Sequence, residues 1–225
     1  VAQAEYTMQT ADECRGNLKL FTDRFEVFET ISERDIEAWV LELLEKVSLR
    51  TVKKKIGFVR SYWRYCKKRH FTKANPSSIL TEDIYPEKRK TKATITRQVK
   101  AKRKAFTVND YHQLLKAKPN DQLLCDLITL AAYTGCRREE ICSMPLSKVT
   151  SDRFFVEDAK TESSWREIPI HSEIRQLVSR LVDTSEDGFL LSGLDASNNK
   201  YKKRGNALGR RFLRLRDKFY NHQYV

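Results

Sequence analysis

Apolar positions in the first third of the chain recur every three or four residues, a spacing that predicts short amphipathic helices. Leu18, Phe21, Phe25 and Phe28 form one such stripe. Ser32-Glu-Arg-Asp35 reads as a capping box, in which the first hydroxyl and the third-position carboxylate satisfy each other's backbone N–H. Ile36, Trp39, Val40, Leu43 and Leu44 follow it on one face. Ser48 is placed to cap a third helix with Ile56, Val59, Trp63 and Cys66 inward, while Arg60, Arg64 and Lys67 share another face. Asn75-Pro76-Ser77 predicts the turn that ends this unit.

The later pattern differs. Thr107-Val-Asn-Asp110 predicts a cap and a helix through Leu114 and Leu115. Asp121 to Thr134 reads as a strongly apolar helix that Gly135 can terminate, because glycine accepts the left-handed backbone of a helix end. Another helix is expected from Arg138 to just before Pro145. Phe154–Val156 and Trp165–Ile168 read as short strands around Ala159-Lys160-Thr161-Glu162. A helix from about Ser172 to Val182 follows Pro169, and the last basic block predicts one more. Residues 86–104 have almost no apolar periodicity and read as an exposed linker. The expected fold is therefore mainly α: a helical domain over 1–85, a basic linker over 86–105, and a mixed α/β domain with a small antiparallel sheet over 106–225.

Composition narrows the function classes. Seven Gly and five Pro in 225 residues exclude collagen-like and low-complexity chains. No apolar run approaches the roughly 18 residues of a membrane span, and the best, Leu123 to Tyr133, is interrupted by Asp126. Five cysteines without a Cys-x-x-Cys pair, and four scattered histidines, fit neither a disulfide framework nor a zinc site. A soluble, intracellular fragment with idle thiols, no metal, no cofactor and no membrane partner is expected.

The net charge of +13 changes the picture further because it is concentrated. Residues 51–70, 86–104 and 200–218 together hold 26 Lys and Arg against two acids, so the rest of the chain is net acidic. Single-sign blocks on an otherwise acidic protein are the footprint of a polyanion partner. The candidate phosphate contacts are Lys53, Arg60, Arg64 and Lys67 in the first block, Lys88, Arg89, Arg97, Lys102 and Arg103 in the second, and Lys203, Arg204, Arg210 and Arg211 in the third. A nucleic acid is the expected partner, well ahead of a membrane surface, and competition between double-stranded DNA and RNA at matched salt addresses a helical RNA-binding protein as a rival.

Phosphate-cradling glycine motifs, Gly-x-Ser-x-Gly and His-Glu-x-x-His are all missing. What stands out is Ala131-Ala-Tyr-Thr-Gly-Cys-Arg137-Arg138-Glu139-Glu140-Ile141, then Asp158-Ala-Lys160-Thr161, then Arg166-Glu-Ile-Pro169-Ile170. In order and spacing this set resembles the tyrosine recombinase (phage integrase) family. The resemblance extends to the helical first domain, the Asn-Pro turn and the basic linker, and so covers nearly the whole chain.

The resemblance implies that residues 1–85 are a core-binding domain and 106–225 a partial catalytic domain. It also implies that Arg137 is the first catalytic arginine, Glu140 its supporting carboxylate and Lys160 the catalytic lysine. The chemistry suits those types: a guanidinium forks onto two phosphate oxygens and stabilises a pentavalent transition state, and an ammonium can protonate the departing sugar oxygen. The family's nucleophile is a tyrosine hydroxyl that forms a 3′-phosphotyrosyl bond without metal or ATP. Taken alone, Arg137 and Arg138 would read as a helix-start pair and Lys160 as a turn lysine. Arg138 could also face the phosphate; the register favours Arg137.

The family's later His-x-x-Arg and nucleophilic tyrosine have no counterpart. His171-Ser-Glu-Ile-Arg175 has three intervening residues and sits at a helix start; Tyr220 and Tyr224 come too early, and Tyr111 and Tyr133 read as core or helix-packing residues. The expectation is a fragment that binds DNA but lacks the nucleophile. Its parent would be a phage or mobile-element integrase of the bacterial cytoplasm or nucleoid, working as a homo-tetramer on DNA, with room for a DNA-bending accessory protein. The rival is a non-catalytic DNA-binding protein with a recombinase-like fold.

Overall fold

A computed structural model describes residues 7–75, 80, 85, 105–157, 165–197 and 199–220, and divides the chain into two compact units, Val1–Thr91 and Lys92–Val225.

Among the described residues the first unit has three α-helices: α1 (Met8–Thr22), α2 (Glu33–Lys46) and α3 (Leu49–Lys68). Each starts on a hydroxyl that accepts an N–H of the first turn, and Ser32 and Asp35 form the expected capping box. The core is aromatic. Phe21 lies 5.1 to 6.2 Å from the rings of Phe25, Phe28, Trp39 and Trp63, distances at which tilted rings attract beyond their buried area. The inward stripe of α3 is buried from Val52 to Cys66. Polar links join α1 to α3: Lys55 donates to the side chain of Asn17 (2.8 Å), and Lys54 pairs with Glu13.

Two expectations change here. Helix α1 stops at Thr22, so Phe25 and Phe28 reach the same core from the following turn rather than along one helix. The unit also continues past Asn75: Leu80 is buried in its core, Tyr85 packs against it, and Arg60 donates to the Leu80 carbonyl.

The second unit holds α4 (Val108–Ala117), α5 (Gln122–Thr134), α6 (Arg138–Cys142), β1 (Arg153–Val156), β2 (Arg166–Pro169), α7 (Arg175–Asp183) and α8 (Asn206–Tyr220). Thr107 and Asp110 close a second capping box. Strands β1 and β2 pair antiparallel, with Phe154 opposite Ile168 and Val156 opposite Arg166. One core runs from Leu124, Leu127 and Leu130 of α5 through Phe154 and Val156 to Val178, Leu208 and Leu215. Asp126, which interrupts the apolar run, is buried and accepts from Arg180 of α7 (2.7 Å) and from Gln122 (2.8 Å). That pairing offsets the cost of burying its charge.

The last basic block is only partly helical, and α8 begins at Asn206. Lys202 takes a left-handed backbone (φ 49°), and Asn199 bonds both the Tyr201 N–H and the Lys203 carbonyl, holding a turn where the sequence predicted helix. No helix of the described residues is long and apolar enough to cross a membrane.

Candidate active site

The site is built where α5 ends. Gly135 sits at φ 64°, the left-handed conformation that reverses the chain, and its N–H closes the helix on the Ala131 carbonyl. Cys136 is then buried, and Arg137 is the residue preceding α6, in extended conformation.

From there the four residues Arg137-Arg138-Glu139-Glu140 divide into two pairs. Glu140 accepts the Arg137 backbone N–H (2.8 Å) and its guanidinium (2.7 Å). Arg166 of β2 donates to the same carboxylate at 2.6 Å, with a second nitrogen at 3.5 Å. Glu139 instead accepts the Gly205 N–H (3.1 Å) and the Ser143 hydroxyl (3.2 Å). Arg138 lies across Gly209 of α8, so closely that a Cβ there would collide with the guanidinium. The sequence left Arg137 and Arg138 as competitors; the structure gives Arg138 to the α8 surface and Arg137 to Glu140.

The electrostatics follow from this geometry. Glu140 has a side chain only 10% exposed, whereas Arg137 is 68% exposed. Burial alone would push the Glu140 carboxyl up, but hydrogen bonds from Arg166 and Arg137 outweigh it and hold it below the usual glutamate range. Both arginines meet on this one carboxylate, and Arg137 is the more exposed of the two. Arg166 was legible only as part of a motif; its bond to Glu140 spans 26 residues and no local spacing signals it.

Lys160 lies on the β1–β2 connection, outside the described residues, as do Lys88, Arg89, Arg97, Lys102, Arg103 and Tyr224. In α3, Arg64 and Lys67 are exposed; Lys53 is exposed with its ammonium 4.6 Å from the Tyr85 ring, and Arg60 is half-buried on the Leu80 carbonyl. In the last block Arg210 and Arg211 are exposed on α8, with Arg211 3.2 Å from Asp121, and Lys203 is half-buried.

Arg204 requires correction as a DNA contact. Its side chain is 13% exposed, donates to the Cys142 and Leu191 carbonyls (2.9 and 3.1 Å) and to Asp187 (2.7 Å), and lies 3.8 Å from the Phe189 ring centre. Its charge is consumed inside the unit.

His171 caps the turn before α7, its Nδ1 accepting the Glu173 N–H, as expected of a helix start. Tyr220 packs on Phe106, and its hydroxyl donates to Gln113 of α4. Tyr133 is not a core residue: it is 38% exposed, 5.1 Å from the His171 ring, and lines an apolar cleft of about 840 Å³ with Tyr111 and Phe212. Among the described residues no group of His, Cys, Asp and Glu is arranged to hold a metal.

Neither a protein-family model nor a curated protein sequence matches the chain. Solved structures do. A lambda integrase dimer bound to a COC′ core site superposes with a TM-score of 0.71 at 16% identity, over 96% of this chain and 73% of that one. A lambda integrase tetramer bound to a Holliday junction gives 0.71 at 16%, over 96% and 59%. The Tn1549 transposon integrase in complex with transposon right end DNA gives 0.66 at 15%, over 98% and 76%. The fold of this chain is therefore the one found in these integrases.

Proposed function

We propose that the chain is the DNA-binding and partial catalytic portion of a site-specific tyrosine recombinase, the integrase of a phage or other mobile element. The observation that carries this reading is the Arg137–Glu140–Arg166 cluster within an integrase fold. A buried carboxylate holds the base of an arginine whose guanidinium is largely exposed, a geometry suited to gripping a phosphate.

In this reading Arg137 binds the non-bridging oxygens of the scissile phosphate and stabilises charge as a tyrosine hydroxyl attacks phosphorus and the 5′ sugar oxygen departs. Lys160 delivers the proton to that oxygen, and the 3′-phosphotyrosyl bond keeps the linkage ready for rejoining. Glu140 supports Arg137. Lys53, Arg64 and Lys67 of α3, the linker bases, and Arg210 and Arg211 contact the backbone of duplex DNA, and the working assembly is a tetramer. The residues present contain no His-x-x-Arg, so the attacking tyrosine is assigned to polypeptide outside these 225 residues.

Two measurements test the reading. The chain should bind duplex DNA in preference to duplex RNA at matched salt, with affinity falling steeply as salt rises; failure to bind DNA would remove the proposal. Mixed with a nicked duplex substrate it should leave no detergent-stable adduct, and an adduct would show that the nucleophile lies within the 225 residues after all.

A further inference from the structure

Helix α3 ends in a chain reversal that leaves a phenyl ring in solvent. His70 takes a left-handed backbone (φ 60°); its N–H returns to the Lys67 carbonyl (3.1 Å), and the Phe71 N–H to the Cys66 carbonyl (2.9 Å). In a helix end of this kind the residue in the place of Phe71 commonly packs back on the position that Cys66 occupies. Cys66 is buried, yet Phe71 stays 71% exposed. The backbone beyond it is also held. Thr72 is buried and donates its hydroxyl to Glu29 (2.6 Å), which accepts the Lys73 N–H as well (3.3 Å). An apolar ring is thus left outside on a backbone pinned at both sides, so a ligand that covers it has little ordering cost to meet.

The chain around the ring carries one sign of charge. Residues 46–81 contain eleven Lys and Arg and no Asp or Glu, and Arg64, Lys67, Lys68 and Arg69, in the turns that lead to Phe71, are all exposed. Glu29 reaches the segment from the turn after α1, and it binds the Thr72 hydroxyl and the Lys73 N–H rather than a guanidinium or an ammonium. The same face of a second copy would bring like charges together. Duplex DNA fits instead, since its grooves offer apolar base edges and sugars lined by phosphates. We infer that Phe71 is an apolar contact of this chain with duplex DNA: its ring is covered by base and sugar surface while the exposed cations of α3 hold phosphates. The inference rests on the proposed DNA-binding role of α3 and adds to it a residue that carries no charge.

Binding of the 225-residue chain to a random-sequence duplex over a range of salt separates the two kinds of contact. A lost phosphate contact lowers the slope of log affinity against log salt by about 0.9, whereas covering a phenyl ring displaces no counterions and leaves the slope alone. Lys67→Ala should therefore weaken binding with a shallower slope. Phe71→Ala should weaken it about tenfold at every salt concentration, giving a line parallel to that of the wild type. Phe71→Leu, still apolar, should keep most of the affinity. Because the ring is largely exposed, Phe71→Ala should melt with the wild-type chain, which shows that the loss is not one of folding. If Phe71→Ala binds as the wild type does while Lys67→Ala is weaker, the inference falls and the DNA-binding reading of α3 stands. If Phe71→Ala lowers the slope as Lys67→Ala does, Phe71 only arranges its basic neighbours, and the direct contact is overturned. If the wild-type chain does not bind the duplex, both readings fall together.

Discussion

The two ends of α6 each carry an arginine on a carboxylate, and they are opposites. At the start, Arg137 pairs with Glu140 and stays 68% exposed. At the end, Arg204 reaches in from the segment before α8, bonds the Cys142 carbonyl and Asp187, and is 13% exposed. At Arg137 the carboxylate is the buried partner and the guanidinium faces outward; at Arg204 the guanidinium itself is buried and its donors are spent on protein oxygens. Charge in the sequence does not distinguish them. What separates the two arginines is which partner of the ion pair the chain has buried.

The comparison is broken most directly at Arg204. Arg204→Ala strands two carbonyls and a half-buried carboxylate and should destabilise the second unit by about 3 kcal/mol. Chemical denaturation reads this, and wild-type stability would refute the structural assignment. Arg137→Ala at the exposed end should cost less than about 1 kcal/mol, because exposed pairs contribute little. A loss as large as at Arg204 would mean that Arg137 also serves the fold.

Acid sharpens the contrast. Asp187 is pushed up by burial but held below the usual aspartate range by Arg204 and by backbone N–H groups, as Glu140 is by its two arginines. A carboxylate with a depressed folded pKa stabilises fully above its unfolded value and loses that contribution as pH falls through the folded one. Unfolding free energy should therefore decline below about pH 4.3, the ordinary glutamate value. Glu140→Gln should flatten that decline, and an unchanged pH profile would count against the Arg166–Glu140–Arg137 arrangement.

The smallest effect is expected at Gly209. Alanine gains about 1 kcal/mol of helix propensity there, but its Cβ would collide with the end of the Arg138 side chain. That flexible end can swing away, so stability should change by less than about 1 kcal/mol while Arg138 leaves the α8 surface. A severe loss would show Arg138 to be fixed in place.

Much of this was legible in the sequence because it is local. Ser32 with Asp35, Thr107 with Asp110, Ser48 and Gly135 act within one turn of backbone, and all sit where their residue types predicted. The inward stripe of α3 follows from spacing alone. The pairing of Arg137 with Glu140 is equally local, three residues apart across a helix start. The rest depends on partners distant in sequence. Phe25 and Phe28 keep helical spacing but lie beyond the helix, in a turn drawn to the same aromatic cluster. Arg204 sits in a basic run, and nothing in that run announces Asp187 or the Cys142 carbonyl. The same is true of Arg166, whose contribution depends on a strand pairing that brings it back to α6.

Helix α6 has five residues, too few to be stable in isolation. Its order is borrowed from segments far along the chain: Glu140 from Arg166, 26 residues later, Cys142 from Arg204, 62 later, and Glu139 from Gly205, 66 later. Loops of that length close late, after local helices have formed. A chain caught part-way through folding would carry its basic helices without an ordered Arg137. The exposed basic faces would thus be presented before Arg137 is in place, and amide exchange across α6 should report only on the opening of the whole second unit.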